Sequence, residues 1–141
     1  MHTFLMSNQL TSTTDSIRLF LHVIGATIWV GGQLVFAALV PVLKAKDAAL
    51  PKIVAKQFNK IAWPAFALLI ISGAWNMATL SKDLPASYHI ALAIKMVVVT
   101  LSGVAAHLHS RAKTSKGMAM WGGISGLTAI SATYVGVLLA G

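Results

Sequence analysis

Four long apolar stretches, separated by short polar segments, dominate the hydrophobic pattern of the chain. They cover about residues 17–43, 61–80, 88–108 and 118–140. Each is long enough to cross a membrane, because a helix that spans a hydrocarbon core of about 30 Å needs about 20 residues. The pattern predicts an all-α integral membrane four-helix bundle with up-down-up-down topology. Residues 1–16 are expected to form a polar N-terminal tail before a single transmembrane domain over residues 17–141.

The composition supports this class of protein. The chain is 57% hydrophobic and only 10% charged, whereas an ordinary soluble domain has about 25% charged residues. The first apolar stretch far exceeds the 7–15 residues of a signal-peptide core and has no basic segment before it, so we expect it to be retained. The chain has no cysteine, which excludes disulfides and thiolate metal sites.

Seven of the eight units of net positive charge lie in two of the connecting segments, and Lys95 supplies the last. The segments around residues 44–60 and 111–116 hold nearly all of the excess lysine and arginine, whereas the charges of the first 18 residues and of residues 81–87 cancel. Because short basic loops mark the cytoplasmic face, both termini are predicted to lie outside a cytoplasmic membrane. The basic face is then expected to meet anionic lipid, and no nucleic-acid partner is expected.

Lys95 is the one formal charge well inside an apolar stretch. A buried ionisable group costs several kcal/mol in hydrocarbon, so such a residue is by default a candidate functional group. Glutamate is absent from the chain, and the three aspartates lie at or beyond the ends of the apolar stretches. Three alternatives therefore remain open: Lys95 is neutral, it extends outward toward Asp83, or it pairs with an anionic group of a bound ligand.

One polar residue from each predicted helix reaches the same depth in the outer leaflet. These residues are His22, Asn76, Lys95 and Tyr134; the first lies about five residues, and the lysine about seven, from the outer end of its helix. A second set shares the face of His22 at helical spacing. Its members are Gly25, Ala26, Trp29, Gly32 and Gln33. The sequence predicts a shallow site in which the imidazole and the amine face each other.

The other candidate ligands have weaker patterns. Met77 and Met96 lie in the same leaflet and would offer soft thioether ligands, although methionine is also a routine packing residue. His107 and His109 point apart on a helix and are expected to face lipid headgroups. No role is assigned to His2 or His89. Gly122 and Gly126 form a small-xxx-small pair, which serves either packing inside the bundle or a dimer contact.

Four segments together resemble the membrane domain of the copper-resistance D (CopD) family. They are Leu21-His22 to Trp29-Val-Gly31-Gly32, Gln57-Phe58 to Ala62, Ser72-Gly73-Ala-Trp-Asn76 and Leu92-Ala-Ile-Lys95. Their order and spacing fit over about residues 17–112. A similar spacing of a histidine in helix one and a lysine in helix three is found in the HemJ-type protoporphyrinogen oxidases, which are small haem-associated membrane proteins.

The resemblance implies that His22 and Lys95 are the functional pair. In the first family they would lie near a copper path, and in the second near a haem. The first function expected is copper binding or transport, with His22 assisted by Met77 or Met96 as metal ligands. The second is a b-type haem protein, with His22 as axial ligand, Gly25 and Gly32 leaving space for the macrocycle, and Lys95 as second ligand or propionate partner. Enzymatic activity, as an oxidoreductase, is expected only in the haem case. A cofactor-free structural or assembly subunit is the third alternative, and a homodimer is expected in each case.

Overall fold

The computed structural model describes residues 10–140, all of whose regular structure is helical. The four helices are α1, Thr13–Lys46; α2, Leu50–Ala78; α3, Ala86–Arg111; and α4, Ser115–Ala140. All four are long and apolar enough to cross a membrane, as in a multi-pass membrane protein. The predicted all-helical class and the number of candidate spans are therefore confirmed for the described residues. Most of the predicted N-terminal tail, residues 1–9, lies outside them.

Two predicted helix boundaries are wrong. Helix α1 begins at Thr13 rather than near residue 17, because the Ser12 hydroxyl accepts a hydrogen bond from the Asp15 backbone N–H and caps the helix. Helix α2 begins at Leu50 rather than near residue 61. Pro51 lies in its first turn, where a backbone N–H has no partner within the helix, so the missing N–H of proline costs no hydrogen bond. The lysine-rich turns that follow continue directly into the apolar part of the helix.

The helices form two antiparallel hairpins. In the first, His22 near the start of α1 contacts Ser72 near the end of α2. In the second, Lys95 near the start of α3 lies against Gly136 near the end of α4. The end of the bundle that carries the short 47–49 and 112–114 connections is rich in lysine and arginine and is called the basic end below; the opposite end is called the terminal end.

Close packing of α1 on α2 depends on glycines. A side-chain carbon at Gly25 would lie only 3.0 Å from the Ala65 carbonyl oxygen and 3.1 Å from the Leu69 backbone nitrogen. One at Gly32 would lie 2.7 Å from the ring of Phe58, a ring that also stacks on Phe36 with centroids 5.8 Å apart. Small residues at these positions let the two helices approach closely, which drives helix association in lipid.

Helix α1 contains one wide π-helical turn, Thr27–Gly31, with Trp29 at its centre. The indole is 3% exposed and packs on Trp63 and Phe66 of α2, with ring centroids 5.3 and 4.4 Å away. Its Nε1–H donates a hydrogen bond of 3.0 Å to the Ser102 hydroxyl of α3. This turn also makes the main close backbone approach between the two hairpins, against α4. The core of the bundle is therefore centred on one tryptophan.

Serine hydroxyls connect the remaining helices. Ser102 donates to the Ser125 carbonyl and Ser125 to the Ser102 carbonyl, both at 3.0 Å, which joins α3 to α4. The Ser125 hydroxyl also lies 2.9 Å from the Gln33 amide of α1, whose Nε2 is buried without a partner. If the nitrogen and oxygen of the Gln33 amide are exchanged, Nε2 donates to the Ser125 hydroxyl oxygen, and the Ser125 proton is free to bond to the Ser102 carbonyl. The rotated amide is the better account of this contact.

Small residues of α4 form its inward face. Ser125, Ala129 and Ala132 are buried, and Gly136 follows at helical spacing. The predicted Gly122 and Gly126 pair does not act as a unit. Gly122 is covered by the His109 ring, whose Nδ1 would lie 3.0 Å from a side-chain carbon added there, whereas a carbon added at Gly126 would have no atom within 4 Å.

We expect Gly25→Ala to destabilise the protein by about 1–3 kcal/mol, because the added methyl group would meet the backbone of α2 rather than a movable side chain. Gly31→Ala, on the same helix, is the matched control, since a methyl group there meets nothing within 4 Å. Denaturant unfolding in detergent, followed by loss of helical circular dichroism, measures both. Equal losses of stability would show that the α1–α2 contact is not limited by glycine.

Candidate functional site

The imidazole of His22 is held in one orientation by α2. Its Nδ1 lies 2.9 Å from the Ser72 hydroxyl, and that hydroxyl donates its own proton to the Leu69 carbonyl at 3.1 Å. With the hydroxyl proton directed at the Leu69 carbonyl, the serine oxygen accepts from the ring, and this assignment places the donated proton on Nδ1 of His22. In the neutral ring this leaves Nε2 unprotonated. Gly73 lies beside the ring, and a side-chain carbon added there would be 3.7 Å from Cε1.

The amine of Lys95 lies against α4. A side-chain carbon at Gly136 would be 3.1 Å from Nζ, so the glycine provides the space that the amine occupies. The residue is half-buried, and Ser102, two turns along the same predicted stripe, is fully buried. Among residues 10–140 the one ion pair is Arg18–Asp15, so Lys95 does not reach Asp83. The snorkelling alternative is therefore not the arrangement seen.

Three basic side chains gather at the terminal end of the bundle. Lys95 and His22 lie at this end in different hairpins, one against Gly136 of α4 and the other against Ser72 of α2. Arg18 is one helical turn from His22 on the same face, is only 12% exposed and bonds to Asp15 at 2.8 Å. Its Nε is buried without a hydrogen-bond partner in the described part of the chain. Asp15 pairs with Arg18, and no carboxylate among residues 10–140 forms an ion pair with His22 or Lys95.

Three of the predicted cofactor-binding residues serve helix packing instead. The faces of Gly25 and Gly32 are filled by α2, so neither leaves space for a macrocycle. Trp29 is sealed in the core and hydrogen-bonded to Ser102. Gly25, Trp29 and Gly32 do share one face of α1, as predicted. That face is the contact surface with α2, and it lies between His22 and the basic end of the bundle.

The two other predicted members of the layer differ from each other. Asn76 is half-buried and lies one turn beyond Ser72 toward the terminal end. Its backbone carbonyl accepts a hydrogen bond of 2.8 Å from the Thr79 hydroxyl. Tyr134 is 65% exposed and does not join the site. Gly136 faces Lys95, and Tyr134 precedes it by two residues, about 200° around the helix. Matching of depth alone misplaced the tyrosine, because it ignores rotation about the helix axis.

Both predicted methionine ligands lie at the surface of their helices. Met77 is 41% and Met96 37% exposed, and Met96 lines a shallow groove with Val97 and Leu101 on the outer surface of α3. Among residues 10–140 there is no group of three or more histidine, cysteine or acidic side chains that could hold a metal ion. A bare metal ion at His22 would therefore depend on ligands other than these.

The remaining described histidines divide into exposed and packed ones. His89 and His107 are exposed. His109 is half-buried; its Nδ1 donates to the Met118 carbonyl at 2.7 Å and its ring covers Gly122. It fastens the ends of α3 and α4 to each other. His2 lies outside the described residues.

Sequence reasoning missed Gly136 and the roles of Ser72 and Arg18. The signal for Gly136 was present, since it continues the small-residue spacing of Ser125, Ala129 and Ala132. Ser72 was noted only as part of a motif. No sequence pattern distinguishes the burial of Arg18 from that of an ordinary arginine at a membrane interface.

Comparison with known proteins adds no relative. No family model, no curated protein and no solved structure matches the chain. The resemblance to the CopD and HemJ-type families therefore stays a prediction.

We expect Ser72→Ala to release the His22 ring and to cost about 1 kcal/mol of stability, because the Nδ1–H then lacks its acceptor in an apolar environment. Nitrogen-15 NMR of labelled histidine should show the Nδ1–H form in the parent protein and a mixture in the variant. Ser131→Ala is the control, since that exposed hydroxyl bonds only within its own helix. An unchanged tautomer in Ser72→Ala would contradict the assignment.

Proposed function

We propose that the protein binds a b-type haem at the terminal end of the bundle, with His22 as axial ligand. The observation that carries the proposal is the bond from His22 Nδ1 to Ser72, which leaves Nε2 free to coordinate. A histidine whose second nitrogen is anchored by a hydrogen bond is the usual arrangement of a metal-ligating imidazole. Haem, when bound, supplies a one-electron redox centre within the membrane.

The small number of protein ligands favours haem over copper. The macrocycle provides four of the ligands of its iron and requires one or two from the protein. The described chain offers His22 and, if it is unprotonated, Lys95, but no cluster for a bare ion. A copper ion would also be repelled by the neighbouring ammonium. Copper handling remains the second candidate function, supported by the free imidazole nitrogen alone.

The basic groups suit the charge of haem. Its two propionates are anions that need cationic partners in a membrane. Lys95 lies at the same end of the bundle as His22, and Arg18, whose Nε is buried without a partner among residues 10–140, is one helical turn from His22 on the same face. We assign Lys95 to a propionate, or to the second axial position in its neutral form, and Arg18 to a propionate.

A flat ligand at His22 would have to enter between the hairpins, because α2 fills the faces of the α1 glycines. The terminal half of α1, Thr13–Ala26, packs extensively on α2 but not on α3 or α4. The hairpins approach each other closely at the π-helical turn instead. A ligand inserted at the terminal end would thus separate few existing contacts.

Haem content should decide between the candidates. We expect detergent-purified protein from haem-supplied cells to show a Soret band that His22→Ala abolishes and His89→Ala, an exposed histidine near the same end, retains. Lys95→Ala should shift or weaken the band far more than Lys82→Ala, with partial rescue by Lys95→Arg. A colourless protein with stoichiometric copper would favour copper handling. If the protein shows neither signal, the remaining candidate is a cofactor-free structural or assembly subunit.

We also propose that the protein resides in the cytoplasmic membrane with its basic end inside and both termini outside. The charge asymmetry between the two ends supports this orientation. A homodimer is proposed as well, supported by the uncovered backbone at Gly123 and Gly126 of α4.

Single cysteines should report the orientation, because the chain has no cysteine of its own. We expect a membrane-impermeant maleimide to label Ser81→Cys in intact cells and to label Thr114→Cys only after lysis. Labelling of Thr114→Cys in intact cells would reverse the proposed topology.

A further inference from the structure

A cleft opens between α2 and α3 on the basic side of the bundle, away from the His22 site. Its volume is about 380 Å³, and its walls are mostly apolar, including Trp63, Phe66 and Ile70 of α2. Val104 and Leu108 of α3 form part of the opposite wall. The two helices follow each other in the chain but make no extensive backbone contact. The ring of Phe66, which fits over Gly103, holds them apart.

The cleft is shaped for a chain rather than for a compact ligand. Its lining on α3 runs from Thr100 to Leu108, about 12 Å along the helix axis. The Thr100 hydroxyl donates to the Met96 carbonyl of its own helix at 2.8 Å, so it makes no demand for a polar partner inside the cleft. Hydrocarbon is the occupant that matches this lining.

Positive charge surrounds the basic end of the cleft. Exposed His107 lines it there, Arg111 follows one turn later on α3, and Lys60 precedes Trp63 by one turn on α2. Asp47 is the only carboxylate in the two basic connections, and it already accepts the Ala49 N–H at 2.8 Å. Lys60 and Arg111, which lie just beyond the basic end of the cleft, form no ion pair among residues 10–140.

We propose that this cleft is a binding site for one anionic phospholipid, with an acyl chain between α2 and α3 and the phosphate at Lys60, His107 and Arg111. Basic pockets between membrane helices bind acidic headgroups in this way. An apolar cleft alone would accept any lipid, whereas cations from both walls select the acidic one. The site is independent of the haem proposal, since it shares no residue with it.

Native mass spectrometry of protein released from vesicles of equal phosphatidylglycerol and phosphatidylcholine tests the proposal. We expect one phosphatidylglycerol retained per chain. Val104→Phe, which fills the cleft, should abolish retention, and Lys60→Gln with Arg111→Gln should lower the preference for phosphatidylglycerol roughly fivefold per charge. Leu127→Phe on α4 and Lys44→Gln with Lys46→Gln at the same end are the matched controls.

Three results would overturn the proposal. Equal retention of the two lipids would show that charge does not select the lipid. Retention that survives Val104→Phe would show that the cleft is not the binding site. An equal loss of lipid retention or lipid preference in the control variants would show that the effect is not specific to the cleft. Circular dichroism and gel filtration of each variant separate misfolding from loss of the site. Excess glycerol phosphate should fail to displace the lipid, because it lacks the acyl chain; displacement would also count against the cleft.

Discussion

The hydrogen bond from the Trp29 indole to the Ser102 hydroxyl is the interaction on which the bundle depends. In hydrocarbon there is little hydrophobic force between helices, so association relies on close packing and on polar contacts across helices. Trp29 supplies both, since its ring packs on α2 while its N–H reaches α3. Ser102 extends the connection to α4 through Ser125. One buried side chain thus joins elements of all four helices.

The sequence predicted the helical class and the existence of four candidate spans well, because apolar length depends little on tertiary context. It predicted helix ends poorly. The cap at Ser12 and the tolerance of Pro51 in a first turn moved two starts, and Pro41 proved compatible with a continuous α1. Such local effects do not change the hydropathy from which the boundaries were read.

The candidate site was likewise predicted only in part. The sequence correctly marked His22 and Lys95 as unusual, since polar groups inside apolar stretches are conspicuous. It could not predict that Gly25 and Gly32 are filled by α2, because a glycine allows either a close helix or an empty space. Several residues that suggest the family resemblance prove to be packing residues. Their spacing therefore indicates how the helices fit together more directly than which cofactor they hold.

The loose association of the hairpins has a consequence for access. Because the π-helical turn provides the main backbone approach between them, few backbone contacts join the hairpins at the terminal end beside His22. A hydrophobic ligand of the proposed kind would therefore separate few contacts by entering sideways from the bilayer. It need not pass through the aqueous phase or the headgroup layer at all.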